Sequence, residues 1–381
     1  MNVAIAVKEF PPDVIGGTET QTKRMAGELA ARGHDVTVFT KRYDRSHEDD
    51  DVAYEVRRVW NLEWSPFLST LTFLVAALFA VVRRADEFDC LQCMMLYPIG
   101  FLGYVTNLLT GLPYFAWVRG GDYYLMRDVR WKRWMMRAVL ADTLVLTQAA
   151  DIRTDVRADF DSVDSNVEVL GNGVSIPDEQ APCSDRTVLY LGRLAPKKGL
   201  EYLVRAAAEL DDPCELVVVG DGEQRDGLEA LAERLDVSVT FEGFVDPDAV
   251  GDYYRSADVF VLPSIEGEGI PNAMLEAMAW GLPVVGTDSG GVGETLRDGE
   301  TGYLVPMRDS SALADAVQTL LDDGERRREM GQAARRYASE HHSWDSLVGS
   351  LEDIYESRPA AGRGWTGRKQ QTVLNFSYGD E

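Results

Sequence analysis

The sequence predicts an α/β protein with two domains, each built on a parallel sheet. Three observations lead there. Short β-branched runs alternate with helical stretches from end to end, the pattern of strand–helix–strand units whose sheets carry helices on both faces. The alternation falls into two consecutive series, parted near residues 177–185 by "PDEQAPCSD", where Pro, acid and Ser cluster without periodicity. A chain of 381 residues, 45% of them hydrophobic, is also long enough to bury two cores.

Taken in order, the first series offers strands at "VAIAV", "DVTVF", "EVRRVW", "CLQCM", "YFAWV", "TLVL" and "VEVL". The second offers "TVLYL", "CELVVVG", "VSVTF", "DVFVL", "PVVG" and "GYLV". Two Rossmann-like domains are therefore expected, one over 1–180 and one over 181–342, followed by a closing helix over 343–357. The Gly-rich, weakly patterned tail at 358–381 is expected to be disordered. The opening "MNVAIAVK" lacks the charged start, apolar core and cleavage site of a signal peptide and reads as the first strand, which predicts a cytoplasmic location. Cys90, Cys93, Cys183 and Cys214 form no evident disulfide framework and agree with that. Cys90 and Cys93 have CxxC spacing, but their odd separation in a strand sends the side chains to opposite faces, and no second pair completes a zinc site.

The charge balance is strongly acidic: 63 Asp and Glu against 38 Lys and Arg, a formal net charge of -25. Such a surface repels nucleic acid. Only seven of the cations are Lys, and excess acid with scarce Lys resembles a salt-adapted, haloarchaeal proteome. Against this background "RDVRWKRWMMR" at 127–137 stands out, with Arg127, Arg130, Lys132, Arg133 and Arg137 interleaved with Trp131 and Trp134. Cations among Trp residues suit a helix lying on anionic headgroups; the plain alternative is an exposed helix face with local ion pairs. Upstream, the apolar segment 67–82 is shorter than the roughly 20 residues of a bilayer span and carries Ser and Thr, so it reads as a buried core helix, with a helix dipping into one leaflet as the rival.

Open parallel sheets bind ligands at the carboxyl ends of their strands, so the loops there carry the chemistry. After the first strand, "KEFPPDVIGGTETQ" places Gly16 and Gly17 before a helix whose amino end points back at the same space, without the G-x-G-x-x-G spacing of a dinucleotide site. In the second domain "LGRLAPKKGL" carries Arg193 and Lys198, a forked and a point cation able to face a polyanion. "EGEGIPNAMLEAMAWG" at 266–281 then joins a glycine-rich loop to a helix, with Pro271 expected at the first helical position. Glu268 and Glu276 are separated by seven residues there. A helix amino end favours phosphate, whereas carboxylates repel phosphate and accept from sugar hydroxyls. A ligand carrying both groups, such as a nucleotide sugar, resolves that conflict.

With these motifs in hand the chain resembles glycosyltransferase family 4, a retaining group with the GT-B fold of two facing Rossmann-like domains. The likeness covers about residues 1–357 and rests on "GGTE", "GNGV", "GRLAPKKG", "PSIEGEGIPNAMLEAMAWGLPVV" and "DSGGVGETLRDGETGYLV" in that order. It implies that Arg193 and Lys198 bind the donor diphosphate, with Gly16 and Gly17 nearby, that Glu276 holds the ribose hydroxyls, and that Glu268 sits by the donor sugar with Gly269 and Ile270 offering backbone N–H groups. Glu266 lies outside this spacing and is a loop carboxylate. The co-substrate implied is a UDP- or GDP-linked sugar with no other cofactor and no metal; the acidic run at Asp49–Asp51 reads as a solvated loop. A first domain in peripheral contact with an anionic membrane suggests a glycan or polyprenyl-phosphate-linked acceptor, with a soluble acceptor as the alternative.

One departure matters. Where many members carry a His after the fifth strand, this chain reads "AWVRGGD", with Arg119 in that place and Asp122 retained; Gln92 and Met94 stand where other histidines are often seen. All four histidines, His34, His47, His341 and His342, lie outside the motif loops. Arg119 is thus the candidate to stabilise charge on the leaving phosphate or to grip an anionic acceptor, and Asp122 to orient it or bind the acceptor. Family members retain anomeric configuration by same-face attack in which the leaving phosphate helps deprotonate the acceptor, so a missing His is tolerable. The rivals are a non-catalytic partner subunit that has kept the fold, left open by Arg119, and another GT-B enzyme such as a nucleotide-sugar epimerase, opposed by the paired motifs.

Overall fold

Among the residues described by the computed structural model (1–43, 52–161, 163, 166–179, 186–247, 249–267 and 269–357), the strands form two wholly parallel sheets, one of seven and one of six. The acidic run at 49–51, His47, Cys183 with part of the 177–185 segment, Glu268 and the 358–381 tail lie outside them. The chain divides into two units: Met1–Gly173 joined by the segment from Trp344 onward, and Val174–Ser343.

The first unit contains β1 (Asn2–Ala6), α1 (Gly17–Ala31), β2 (Asp35–Lys41), β3 (Glu55–Val59), α2 (Pro66–Val82), β4 (Cys90–Cys93), α3 (Phe101–Thr110), β5 (Tyr114–Val118), α4 (Gly121–Tyr124), α5 (Arg130–Asp142), β6 (Val145–Thr147), α6 (Ala150–Asp159) and β7 (Val167–Val169). Its strand order is β3-β2-β1-β4-β5-β6-β7, with Ile5 of β1 opposite both Val38 and Gln92. Strands inside such a sheet are covered on both faces, and every residue of β4 and β5 is buried accordingly. Cys90 joins the core cluster with Met25 and Leu29 of α1, while Cys93 lies against Gly103 of α3, on the other side. Burial pushes the Cys90 thiol up to about 12 and Cys93 further, which makes both inert packing groups.

The second unit contains β8 (Thr187–Leu191), α7 (Leu200–Ala208), β9 (Glu215–Val219), α8 (Arg225–Leu235), β10 (Val239–Gly243), α9 (Gly251–Ser256), β11 (Val259–Leu262), α10 (Asn272–Ala279), β12 (Val284–Thr287), α11 (Gly291–Thr295), β13 (Gly302–Val305), α12 (Ser310–Asp322) and α13 (Gly324–His342), in strand order β10-β9-β8-β11-β12-β13. The last helix, α14 (Trp344–Glu356), returns to the first unit. There Leu347, Val348, Leu351, Ile354 and Tyr355 complete the cluster built on α1 and β1. Arg32 donates to Glu352 at 2.8 Å and His34 meets the same carboxylate at 2.7 Å.

Segment 67–82 differs from the buried core helix expected of it. Ser65 caps α2 by accepting the Leu68 N–H at 3.2 Å, and Ser69, Phe73, Ala77 and Val81 form a buried stripe. The opposite stripe, Phe67, Leu71, Val75 and Phe79, is 45–66% exposed. An all-apolar helix on a sheet has only one face to bury, and the other here is left to the surroundings. No helix among the described residues is long and apolar enough to cross a membrane.

Candidate functional site

Each sheet reverses its strand order once, between β1 and β4 in the first unit and between β8 and β11 in the second. A crevice opens at such switch points, beyond the carboxyl ends of the strands. The motif loops emerge there.

In the first unit the loop after β1 ends at Gly16, which caps α1 with extended backbone. A Cβ at Gly16 would lie 2.5 Å from Glu19 Oε2, because the Glu19 carboxylate folds back over the helix start and accepts its own backbone N–H. Glu19 is buried, and burial raises its pKa, with Glu9 adding to the rise and Arg119 and Lys8 opposing it. Gly17, by contrast, opens α1 and is exposed.

Arg119 follows β5. Its guanidinium rests 4.1 Å above the Trp117 ring, and its Nη1 donates to Asn172 Oδ1 at 2.8 Å. Asn172, buried in the "GNGV" turn, also accepts from Gln148 Nε2 at 3.2 Å. Burial draws Arg119 down to about 9, with Asp122 and Glu19 holding it up, so it remains cationic at neutral pH. Arg119 Nε is buried with no acceptor among the described residues. Asp122 does not reach outward: one carboxylate oxygen accepts the Arg119 backbone N–H at 2.8 Å and the other the Leu96 N–H at 2.5 Å. Burial pushes its carboxyl up to about 6 against those two donors. Gln92 is a core residue that accepts the Tyr355 hydroxyl at 3.0 Å, and Met94 is buried in the same cluster.

In the second unit the loop after β8 is locked from three sides. Tyr190 Oη donates to the Arg193 carbonyl at 3.1 Å, and the Leu194 N–H donates to the Asp221 carbonyl at 2.9 Å. The Ile265 N–H donates to the Lys197 carbonyl at 2.9 Å, tying this loop to the segment after β11. Gly199 has φ +64, and a Cβ there would collide with the Pro263 carbonyl oxygen, so this close approach needs glycine. Arg193 is exposed and Lys198 half-buried.

Beyond β11, Ile270 is buried and Gly269 half-buried; a Cβ on Gly291 would meet the Gly269 carbonyl carbon at 2.6 Å, so the loop after β12 lies directly against this peptide. Pro271 is the N-cap of α10, with ψ 127, and helix begins at Asn272, one residue later than the spacing predicts. Glu276 is half-buried on α10, and its Oε2 accepts the hydroxyl of buried Tyr254 at 2.8 Å. In the second unit Arg193 and Lys198 thus lie on the loop after β8, which is bonded to the loop after β11 that leads through Gly269 and Ile270 to Glu276 of α10; in the first, Gly16 lies on the loop after β1, and Arg119 and Asp122 follow β5. Glu19, Trp117 and Tyr254 were not singled out by the sequence reading; Glu19 had a signal there as the last letter of "GGTE" and Trp117 as the second of "AWVRGGD", whereas Tyr254 had none. Among the described residues no three His, Cys, Asp or Glu side chains form a group that could hold a metal ion.

Comparison with known proteins fits both halves. Residues 16–173 match the glycosyl transferase 4-like domain, and residues 175–337 match the glycosyl transferases group 1 family. An uncharacterized glycosyltransferase of Methanocaldococcus jannaschii is 28% identical over 385 residues, covering 93% of this chain and 98% of that protein. A GDP-mannose-dependent alpha-(1-6)-phosphatidylinositol monomannoside mannosyltransferase of Mycobacterium tuberculosis is 28% identical over 396 residues, covering 94% and 99%. In fold, the chain is similar to a sucrose-phosphate synthase from Thermosynechococcus elongatus with a TM-score of 0.80 at 22% identity, covering 93% of this chain and 98% of that one. With both halves matched in this order on two parallel α/β sheets, the chain is a glycosyltransferase of the family 4 type with the GT-B fold.

Proposed function

We propose that the protein moves a sugar, with retention of configuration, from a UDP- or GDP-linked donor to a lipid-linked or cell-surface glycan acceptor. What supports this reading is that the loop after β8, which carries Arg193 and Lys198, is tied at the switch point of the second sheet to the loop after β11, which leads through Gly269 and Ile270 into α10 and Glu276. Phosphate suits the cations and the backbone N–H groups of Gly269 and Ile270, and ribose hydroxyls suit the carboxylate. Glu268 is proposed beside the donor sugar. In the first unit Gly16 and Gly17 are proposed near the donor phosphates at the start of α1, beside the Glu19 carboxylate, and Arg119 offers a fixed cation to negative charge in the reaction, with Asp122 holding its backbone in place. No step calls for a metal ion, since positioning and electrostatics supply the catalysis.

Peripheral contact with an anionic bilayer belongs to the same reading. The exposed stripe of α2 adjoins α3, where Leu108 and Leu109 are exposed, and α3 adjoins α5, which exposes Trp131, Trp134, Arg130 and Arg137. Apolar side chains rimmed by cations, on a chain of net charge -25, fit anionic headgroups rather than another acidic surface. Arg127 and Arg133 are engaged with Asp159 instead. Free Cys90, Cys93 and Cys214 accord with work on the cytoplasmic face, and the acid excess with a salt-rich cytoplasm of haloarchaeal type.

Thermal unfolding in molar KCl across UDP, GDP, ADP and their sugar conjugates tests the donor. Stabilisation by one nucleotide, lost in Lys198→Ala and Glu276→Ala, is expected. No shift with any of them in a folded sample would count against donor binding and for a non-catalytic subunit.

A further inference from the structure

Tyr254 is among the largest fully buried side chains of the second unit, yet it ends in a polar group. It sits on α9 with its ring 6.1 Å from Phe260 of β11. Its hydroxyl lies 2.8 Å from Glu276 Oε2 and 3.3 Å from the Ala273 carbonyl. A phenol has one proton to give, and the charged, nearer acceptor is the stronger partner. Burial, and then the Glu276 charge, hold the phenol well above its ordinary value, so it stays a donor. A buried donor fixed by packing leaves the carboxylate little freedom of rotation, and Glu276 itself is only half-buried on a helix that opens at the switch point.

We infer that Tyr254 is a positioning residue for the donor site: its hydroxyl holds Oε2 of Glu276 so that the rest of the carboxylate is presented to the two vicinal hydroxyls of the donor ribose. This rests on the assignment of Glu276 to the ribose. A vicinal diol needs both acceptor directions correct at once, so a freely turning carboxylate binds it less well than a held one.

The test compares dissociation constants for UDP and GDP with those for their 2′,3′-dideoxy counterparts, using the full chain. The ratio of dideoxy to ribo constants reads the ribose contacts alone, since the diphosphate is common to both. Tyr254→Phe keeps the ring and is expected to lower that ratio about tenfold, equivalent to about 1.4 kcal/mol, without changing dideoxynucleotide affinity. Glu276→Ala is expected to abolish the preference, and adding Tyr254→Phe to it to change nothing more. Phe260→Leu disturbs the same ring without touching the hydroxyl and should keep the preference; it also serves if Tyr254→Phe fails to fold, because loss of preference in Phe260→Leu would make the effect one of packing and overturn the proposal. A full preference in Tyr254→Phe together with its loss in Glu276→Ala would overturn the role of Tyr254 alone. A preference that survives Glu276→Ala would overturn the ribose assignment and this proposal with it.

Discussion

Arg119 is held from below by the Trp117 ring, from the side by Asn172 and through its backbone by Asp122. A cation so fixed needs no reorganisation when charge develops, which is what electrostatic catalysis requires. Arg119→Ala is expected to lower kcat about 100-fold or more while leaving the melting temperature nearly unchanged, and Arg119→Lys to restore little, because an ammonium cannot both stack and fork. Steady-state kinetics beside melting curves check this. Asp122 adds a pH signature. With its carboxyl pushed up to about 6, it takes a proton as pH falls through that value, and one acceptor of the two backbone N–H groups becomes a donor. Turnover should therefore fall below about pH 6, and Asp122→Asn should lose this limb and show low turnover at neutral pH. Stability runs the other way, since a raised carboxyl pKa favours the folded state most below the ordinary value and that contribution is lost as pH rises through about 6. The positions of Arg119 and Asp122 were legible from their place after a strand. That Asp122 faces the protein backbone was not, because its partner at Leu96 is remote in sequence.

At the scale of elements, the strands were the most legible part. Runs such as "TVLYL" and "DVFVL" have no polar face to confuse the reading, and they appear as β8 and β11. Short α4, α9 and α11, by contrast, leave too few residues to show a period. α2 shows a different limit. Its sequence is apolar on every side, so periodicity alone cannot say which stripe is buried, and only the sheet beneath it decides. The double substitution Phe67→Ser, Phe79→Ser removes exposed apolar surface, so it is expected to abolish flotation with phosphatidylglycerol vesicles while leaving nucleotide affinity and folding intact. Flotation unchanged by it, or equal on neutral phosphatidylcholine, would refute the anionic contact.

At the scale of the whole molecule, the chain leaves the first unit after Gly173 and comes back at Trp344. The return is secured by Glu352, whose carboxyl is held below its ordinary range first by the His34 hydrogen bond and then by Arg32. A lowered carboxyl pKa contributes stability above the ordinary value of 4.5 that is lost as pH falls through the folded value. Glu352→Gln is thus expected to melt about 2 °C lower than the parent at pH 7, the two curves converging only as pH falls below the ordinary value of 4.5 and on through the lowered folded one. The same topology orders events on the ribosome. The second unit is one unbroken stretch and has all of its residues once Ser343 has emerged. The first unit, although begun earlier, cannot close its core until α14 follows. The half that starts second is therefore the half able to finish first, and until α14 emerges the older half waits with the apolar surface of α1 uncovered.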